Sequence, residues 1–305
     1  MVVDHSSHSS PLSASQLQRL RCATDRRGIM ALLAGLTLIC ALVPGALFLM
    51  SALAIVTIFG GGLWLASVRS LGAPLGPAIQ PRWDQNSEWV THQLQLDRRS
   101  LPILVLMDPQ ANAFAAWAVN GRLIAVTSGA AQLLAEDDAA QRYLLGHECG
   151  HVLFHQPWST IVSLLVRSLG LFGSVTRLAW LFWERAAERT SDRVGLVLSG
   201  SPLAATRALV AMHSGTVVDD AQLGEAIRSL PVRPHGLWGY LAEAFASHPF
   251  MQPRLQAMYA FAASKEYEQF AGFEAAERAR FELAALGINP ERRAGPFWPR
   301  AVSAV

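Results

Sequence analysis

The sequence predicts an α+β fold, mostly helical with a small β-hairpin sheet and preceded by a transmembrane helical hairpin. Three observations carry this expectation. A long uncharged apolar run lies near the start of the chain, an Asn-Gly pair joins two apolar segments near its middle, and polar residues recur at helical spacing after it.

Composition sets the frame. Of 305 residues, 51% are hydrophobic and only 16% charged, with a mean hydropathy of +0.26, whereas an ordinary soluble domain carries about 25% charge. A membrane segment is therefore the first thing to seek. The net charge is +2 and the arginines are scattered, so no basic stripe points to nucleic acid, which is not expected as a partner. Cys22, Cys40 and Cys149 form no CxxC pair, and a disulfide framework is not expected.

The elements follow in chain order. Residues 1–27, rich in Ser, His and Arg, read as a disordered cytoplasmic tail. From Gly28 to Ala66 no residue is charged, nearly twice the length of about 20 that one helical span needs. Pro44-Gly45 is turn chemistry inside that run. It divides residues 28–67 into two spans, about Gly28 to Val43 and Ala46 to Ala66. Arg19, Arg21, Arg26 and Arg27 precede the run and Arg69 and Arg82 follow it, so the positive-inside rule places both flanks in the cytoplasm. The expectation is an integral protein of the cell or inner membrane, with the bilayer as a partner and the later domain cytoplasmic. A single bent span, which would put the rest of the chain outside, is the alternative.

Residues 68–83, containing "GAPLGPAIQP", read as a linker. "LPILVLMD" (101–108) is a short buried strand, and "NAFAAWAV" and "RLIAVTSG" flank Asn120-Gly121, a strong hairpin signal. From Asp137 the pattern turns helical, and "YLLGHECGHVLFHQ" (143–156) falls on that helix. There His147 and His151 lie one turn apart on one face, so both imidazoles reach one metal ion. Glu148, rotated by about 100°, can address an activated water. The flanking Leu144, Leu145, Val152 and Leu153 imply burial, and buried imidazoles and a carboxylate need strong partners. Cys149 points away and reads as a packing residue; His155 reads as a supporting or surface histidine.

A hydrolytic zinc site needs a third protein ligand. Phe154 and Pro157 rule out the HExxHxxGxxH pattern. A later helix, "WERAAERTSDRVG" (183–195), offers Glu184, Glu188 and Asp192 on one face, and spacing does not choose among them. Between the two segments, residues 160–183 form an apolar helix with a narrow polar stripe through Ser163, Arg167, Gly170, Ser174 and Arg177, suited to an interfacial or re-entrant position.

Taken in order, "ANAFAAWAVNGRLIAVTSGAAQLL", HECGHVLFH, ERTSD and "SHPFMQPRLQAM" resemble the HtpX-like zinc endopeptidases, relatives of the CAAX prenyl endopeptidases. The resemblance covers roughly residues 100–260 and the N-terminal hairpin. It implies a zincin-like metalloprotease domain over 84–290, with a tail over 291–305. It implies one Zn2+ per chain held by His147, His151 and Glu188, with Glu148 as general base and Asp192 supporting a ligand. Asn112, Ala113, Phe114 and Ala115 match the family's stretch beside the cleft, and His248 and Arg254 match its His-Pro and following Arg. His248 or Arg254 could steady the oxyanion, against a reading of Arg254 as a solvated side chain at a helix start. Phe250 and Ser191 depart from the family pattern.

The implied activity is hydrolysis of peptide bonds in membrane or misfolded proteins, with a polypeptide substrate lying along the edge of Asn112 to Ala118. A membrane-tethered chaperone or adaptor with little turnover and a prenyl-protein processing endopeptidase are the alternatives. The intact HECGH set weighs against the first and the small number of spans against the second.

Overall fold

A computed structural model describes residues 10–42, 45–154, 173–230 and 251–288. His155, His248, the first part of the apolar segment 160–183 and the tail 291–305 lie outside the described residues. The elements are α1 (Ala14–Leu20), α2 (Ala23–Leu42), α3 (Ala46–Leu71), β1 (Gly72–Pro74), α4 (Pro81–Gln93), β2 (Ile103–Leu106), β3 (Ala113–Ala118), β4 (Gly121–Thr127), α5 (Ser128–Leu133), α6 (Asp138–Phe154), α7 (Gly173–Ser199), α8 (Pro202–Ser214), α9 (Asp220–Ser229), α10 (Met251–Ala262), α11 (Lys265–Ala271) and α12 (Phe273–Ala285). The described residues are mostly helical, with one small mixed sheet, as expected.

Among the described residues the sheet has the order β1-β2-β4-β3, with β2 parallel to β4 and the other pairs antiparallel. The period-2 alternation of the strands serves two cores. Ile103, Val105, Ile124 and Val126 face the main core with α4, α5 and α6. Leu104, Ala116, Ala118, Leu123 and Ala125 face the other way and meet Leu65 and Val68 of α3. The hairpin forms where the Asn-Gly pair predicts it, shifted by one residue. Val119 and Asn120 make the turn, and Gly121 takes the positive φ of 130° while pairing with Ala118.

The N-terminal tail is not disordered over its described part. Ser13 and Gln16 form a capping box that starts α1. The backbone of Leu12 donates to Gln93 O at 2.9 Å, and Leu20 and Asp25 are fully buried. Ser and Arg dominate the composition here, but the few apolar side chains find a preformed surface, and that contact outweighs the local bias. The linker over 68–83 is also ordered. Helix α3 runs on to Leu71, Gly72–Pro74 pairs with β2 as an edge strand, and Pro81 sits in the first turn of α4, where its missing N–H costs nothing.

One described helix, α3, is long and apolar enough to cross a membrane, over Ala54–Leu71. Phe48, Ile55, Val56, Phe59 and Leu63 are exposed along it. The lower end of α3 lies on the sheet: the Asn120 side chain donates to Gly62 O at 3.0 Å, and Trp64 meets Phe114 at 5.8 Å between ring centroids.

Helices α6 and α7 cross at unusually short range because small residues face each other. A Cβ on Gly146 would meet Gly195 Cα at 3.0 Å, one on Gly195 would meet Tyr143 O at 2.6 Å, and one on Gly150 would meet Ser191 Cα at 2.9 Å. This crossing positions the site.

Candidate metal centre

Helix α6 presents His147 and His151 from successive turns, and α7 brings Glu188 against them across the glycine crossing. His147 Nε2 and His151 Nε2 lie 3.1 Å apart. Glu188 reaches both, with Oε2 at 3.6 Å from His147 Nε2 and Oε1 at 3.4 Å from His151 Nε2. A tetrahedral ion with bonds of about 2.0–2.2 Å needs ligand separations of about 3.3–3.6 Å. The donor set stands close to the spacing a small divalent ion needs, and small side-chain adjustments would bring all three groups onto it. Among the described residues these three are the group of metal-ligating side chains that converges in this way.

The surrounding carboxylate completes the arrangement. Asp192, one turn beyond Glu188 on α7, lies with Oδ1 3.0 Å from His147 Nδ1. An N–H donated there fixes the tautomer that leaves Nε2 free as a donor to a metal. The Tyr143 hydroxyl, one turn before His147, donates to the same Oδ1 at 2.6 Å. Arg254 of α10 grips Asp192 in bidentate fashion, Nε to Oδ2 at 2.8 Å and Nη2 to Oδ1 at 2.7 Å, and its Nη1 lies 3.2 Å from Glu188 Oε2. The reading of Arg254 as a solvated side chain fails: all three of its nitrogens face these carboxylates.

Burial alone would raise the Asp192 carboxyl, but the Arg254 guanidinium and His147 overcome it and bring it down to about 2. Glu188 is likewise desolvated yet held well below the usual carboxylate range, chiefly by Arg254 and then by the imidazoles. Both remain anionic, as a cation site requires. Burial, with the charge of Asp192, pushes the Tyr143 hydroxyl well up, so it stays a donor. Cys149 is fully buried in the main core, and burial pushes its thiol up, so it is a packing residue and not a thiolate.

The remaining expected residues divide. Glu148 sits on α6 beside His147 and is almost completely buried. Asn112 precedes β3; its carbonyl accepts from the Thr127 N–H at 2.9 Å and its own N–H donates to Thr127 Oγ1 at 2.9 Å. Ala113 and Ala115 turn toward the main core, while Phe114 points its ring at Trp64 on the opposite sheet face. Strand β3 is the end strand of the sheet and packs against α6. Glu184 is one turn before Glu188 and lies outside the three-residue cluster. Tyr143 went unrecognised in the sequence, although it shares the spacing of four with His147 and His151.

A sequence model of peptidase family M48 matches residues 85–262, from α4 through α10. The chain belongs to peptidase family M48. The M48 match takes in β2, β3 and β4, both helices of the cluster and Arg254, and leaves out α1, α2, α3 and β1. M48 members are metal-dependent peptidases, so the polypeptide substrate and the metal dependence follow from membership. Neither a curated protein nor a solved structure matches the chain.

Proposed function

We propose that the chain is a membrane-anchored zinc endopeptidase of the HtpX-like kind, with one Zn2+ held by His147, His151 and Glu188, hydrolysing peptide bonds of membrane or misfolded proteins on the cytoplasmic side. The observation that carries this reading is the convergence of His147 Nε2, His151 Nε2 and the two Glu188 carboxylate oxygens, at separations of 3.1, 3.4 and 3.6 Å, beside a glutamate one residue along from His147. Zinc bound there would bring the pKa of a water molecule toward about 7 and polarise the peptide carbonyl.

The chain's own residues do the rest. Glu148 takes the proton from the attacking water and returns it to the leaving amine. Asp192 holds the imidazole of His147 in the donor tautomer, with Tyr143 and Arg254 fixing Asp192 in turn. Arg254 neutralises the carboxylate pair, a use of its charge that the oxyanion role would have to share. The outer edge of β3 offers backbone groups to an extended substrate, which gives sequence-tolerant recognition suited to misfolded chains. Exposed apolar side chains along α2 and α3, among them Met30, Leu38, Phe48 and Phe59, support the anchor.

The test pairs metal analysis of the purified protein with casein cleavage, wild type against Glu148→Gln. The neutral isostere keeps the packing, so the variant should hold its zinc and lose about 10² to 10⁴ in rate. Cleavage at wild-type speed would refute the mechanism.

A further inference from the structure

The N-terminal segment that reads as a loose tail carries a fully buried carboxylate, and two of its partners lie on the helix that bears Glu188. Asp25 Oδ1 accepts from the indole N–H of Trp183 at 2.8 Å, and Asp25 Oδ2 accepts from Arg21 Nε at 2.9 Å. The same Oδ2 lies 3.4 Å from Thr190 Oγ1, whose single proton it shares with Ala186 O at 3.1 Å, and Oγ1 itself accepts the backbone N–H of Cys22 at 3.1 Å, a second tie from this segment to α7. Gly28 completes the seat: a Cβ there would meet Trp183 Cα and Cβ at 3.0 Å, so α2 closes directly onto α7.

A fully buried carboxylate is an expensive way to hold two helices together, since desolvation costs several kcal/mol unless good partners offset it. Apolar packing would serve adhesion as well. Directional bonds do something adhesion does not: they fix rotation and register. Trp183 and Thr190 bracket Glu188 along α7, and Asp25 engages both. A glutamate carboxylate stands about 6 Å from its helix axis, so a rotation of about 10° displaces it by about 1 Å. Metal–ligand distances tolerate only about 0.2 Å.

We propose that Asp25 is a positioning residue for the metal centre: by bonding Trp183 and Thr190 on either side of Glu188, it sets the rotation of α7 and so presents the glutamate to His147 and His151. This rests on the reading of those three residues as the metal ligands. It makes the segment before the apolar run, which the M48 match does not include, a working part of the site. Seating of α2 is then linked to metal retention.

The experiment uses the full chain in detergent or lipid, with Asp25→Ala, Asp25→Asn, Trp183→Phe and the double variant Asp25→Ala/Trp183→Phe. Zinc affinity is measured by competition with a chromogenic chelator, alongside kcat and KM on casein and the melting temperature of the metal-free protein. Trp183→Phe leaves Asp25 in place and removes the N–H donor together with part of the buried indole, so it serves even if Asp25→Ala does not fold. Each folded single variant should lose about tenfold in zinc affinity, in line with the loss of outer ligand supports. Turnover should fall at limiting zinc with KM unchanged. The double variant should lose no more than the worse single, because both cut one linkage. A folded Trp183→Phe or Asp25→Asn with wild-type zinc affinity would overturn the proposal, as would additive losses confined to the melting temperature. A wild-type protein that holds no metal would instead overturn the reading beneath it.

Discussion

Gly150→Ala tests the helix crossing on which the metal centre depends. The added methyl would stand 2.9 Å from Ser191 Cα and 3.1 Å from Ser191 Oγ, with backbone of α7 behind the nearer contact. Ordinary carbon contacts begin near about 3.5 Å, so α6 and α7 must part by about 0.6 Å. Overpacking of this kind costs about 1–3 kcal/mol, and the better helix propensity of alanine returns at most about 1 kcal/mol. The net loss is up to about 2 kcal/mol, or up to roughly 8 °C in melting temperature for a domain of this size. The same parting draws Glu188 away from two imidazoles that it now meets at 3.4 and 3.6 Å, near tetrahedral spacing. Zinc affinity should therefore fall about tenfold or more, beyond the tolerance for ligand distances. Thermal unfolding of the metal-free protein and chelator competition give the two readouts. Gly60→Ala, where nothing lies within 4 Å of the new methyl, is the control: it should lose no stability and gain up to about 1 kcal/mol from helix propensity. A Gly150→Ala protein that melts at the wild-type temperature and holds zinc as tightly would refute the reasoning.

Three further outcomes are expected. Glu188→Ala should abolish zinc binding, Asp192→Ala should weaken it about 10-fold to 100-fold, and Glu184→Ala should leave it in place; zinc stoichiometry decides, and a zinc-free Glu184→Ala beside a zinc-loaded Glu188→Ala would reverse the assignment. Tyr143→Phe removes one of the donors to Asp192 Oδ1 and leaves the Arg254 bidentate bond, so its loss of zinc affinity should be smaller than that of Asp192→Ala. If the two variants lose equally, Arg254 does not hold Asp192. Ala115→Pro on the end strand should cripple casein cleavage while sparing zinc, and wild-type turnover in the folded variant would show that substrate uses another surface.

What could be read from the sequence was what short range decides. The turn after Ala118 and the pairing of His147 with His151 follow from spacing within one hairpin and one helix. The third candidate ligand did not: Glu184, Glu188 and Asp192 share a face, and only the crossing at Gly146, Gly150 and Gly195 decides which of them meets the imidazoles. Those glycines were visible at a spacing of four in α6, and close helix approach is the signal they carried. The role of Arg254 stayed open between steadying an oxyanion and a solvated helix start, because its carboxylate partners lie on a helix more than 60 residues earlier. The segment before Gly28 looked disordered for a related reason. Its local composition is polar, and the surface that buries Leu20 and Asp25 is supplied by residues such as Thr190, from the far half of the chain. Only the Ser13-Gln16 capping box announced it locally. Gly72–Pro74 is too short and too poor in β-branched residues to announce a strand, and it forms because β2 offers an open edge.

The docking of α3 on the sheet has a consequence for depth. Asp25 pins the chain to the domain before the apolar run, and Leu65 and Val68 pin it again at the end. If the run enters a bilayer, it must return through the same face, and the number of crossings is even. Only Ala46 to Gly60 of α3 stands clear of the sheet contacts that begin at Gly61, a rod of about 22 Å at 1.5 Å per residue. A hydrocarbon core is about 30 Å thick. The rod is too short to cross while the domain floats free in water, so the domain itself must be drawn down until the tip of the β-hairpin, with exposed Val119 beside Gly62, rests among the headgroups. A spin label at residue 119 should then be quenched by lipid-soluble relaxants; one that reports bulk water would show that the helix stops short of the far leaflet.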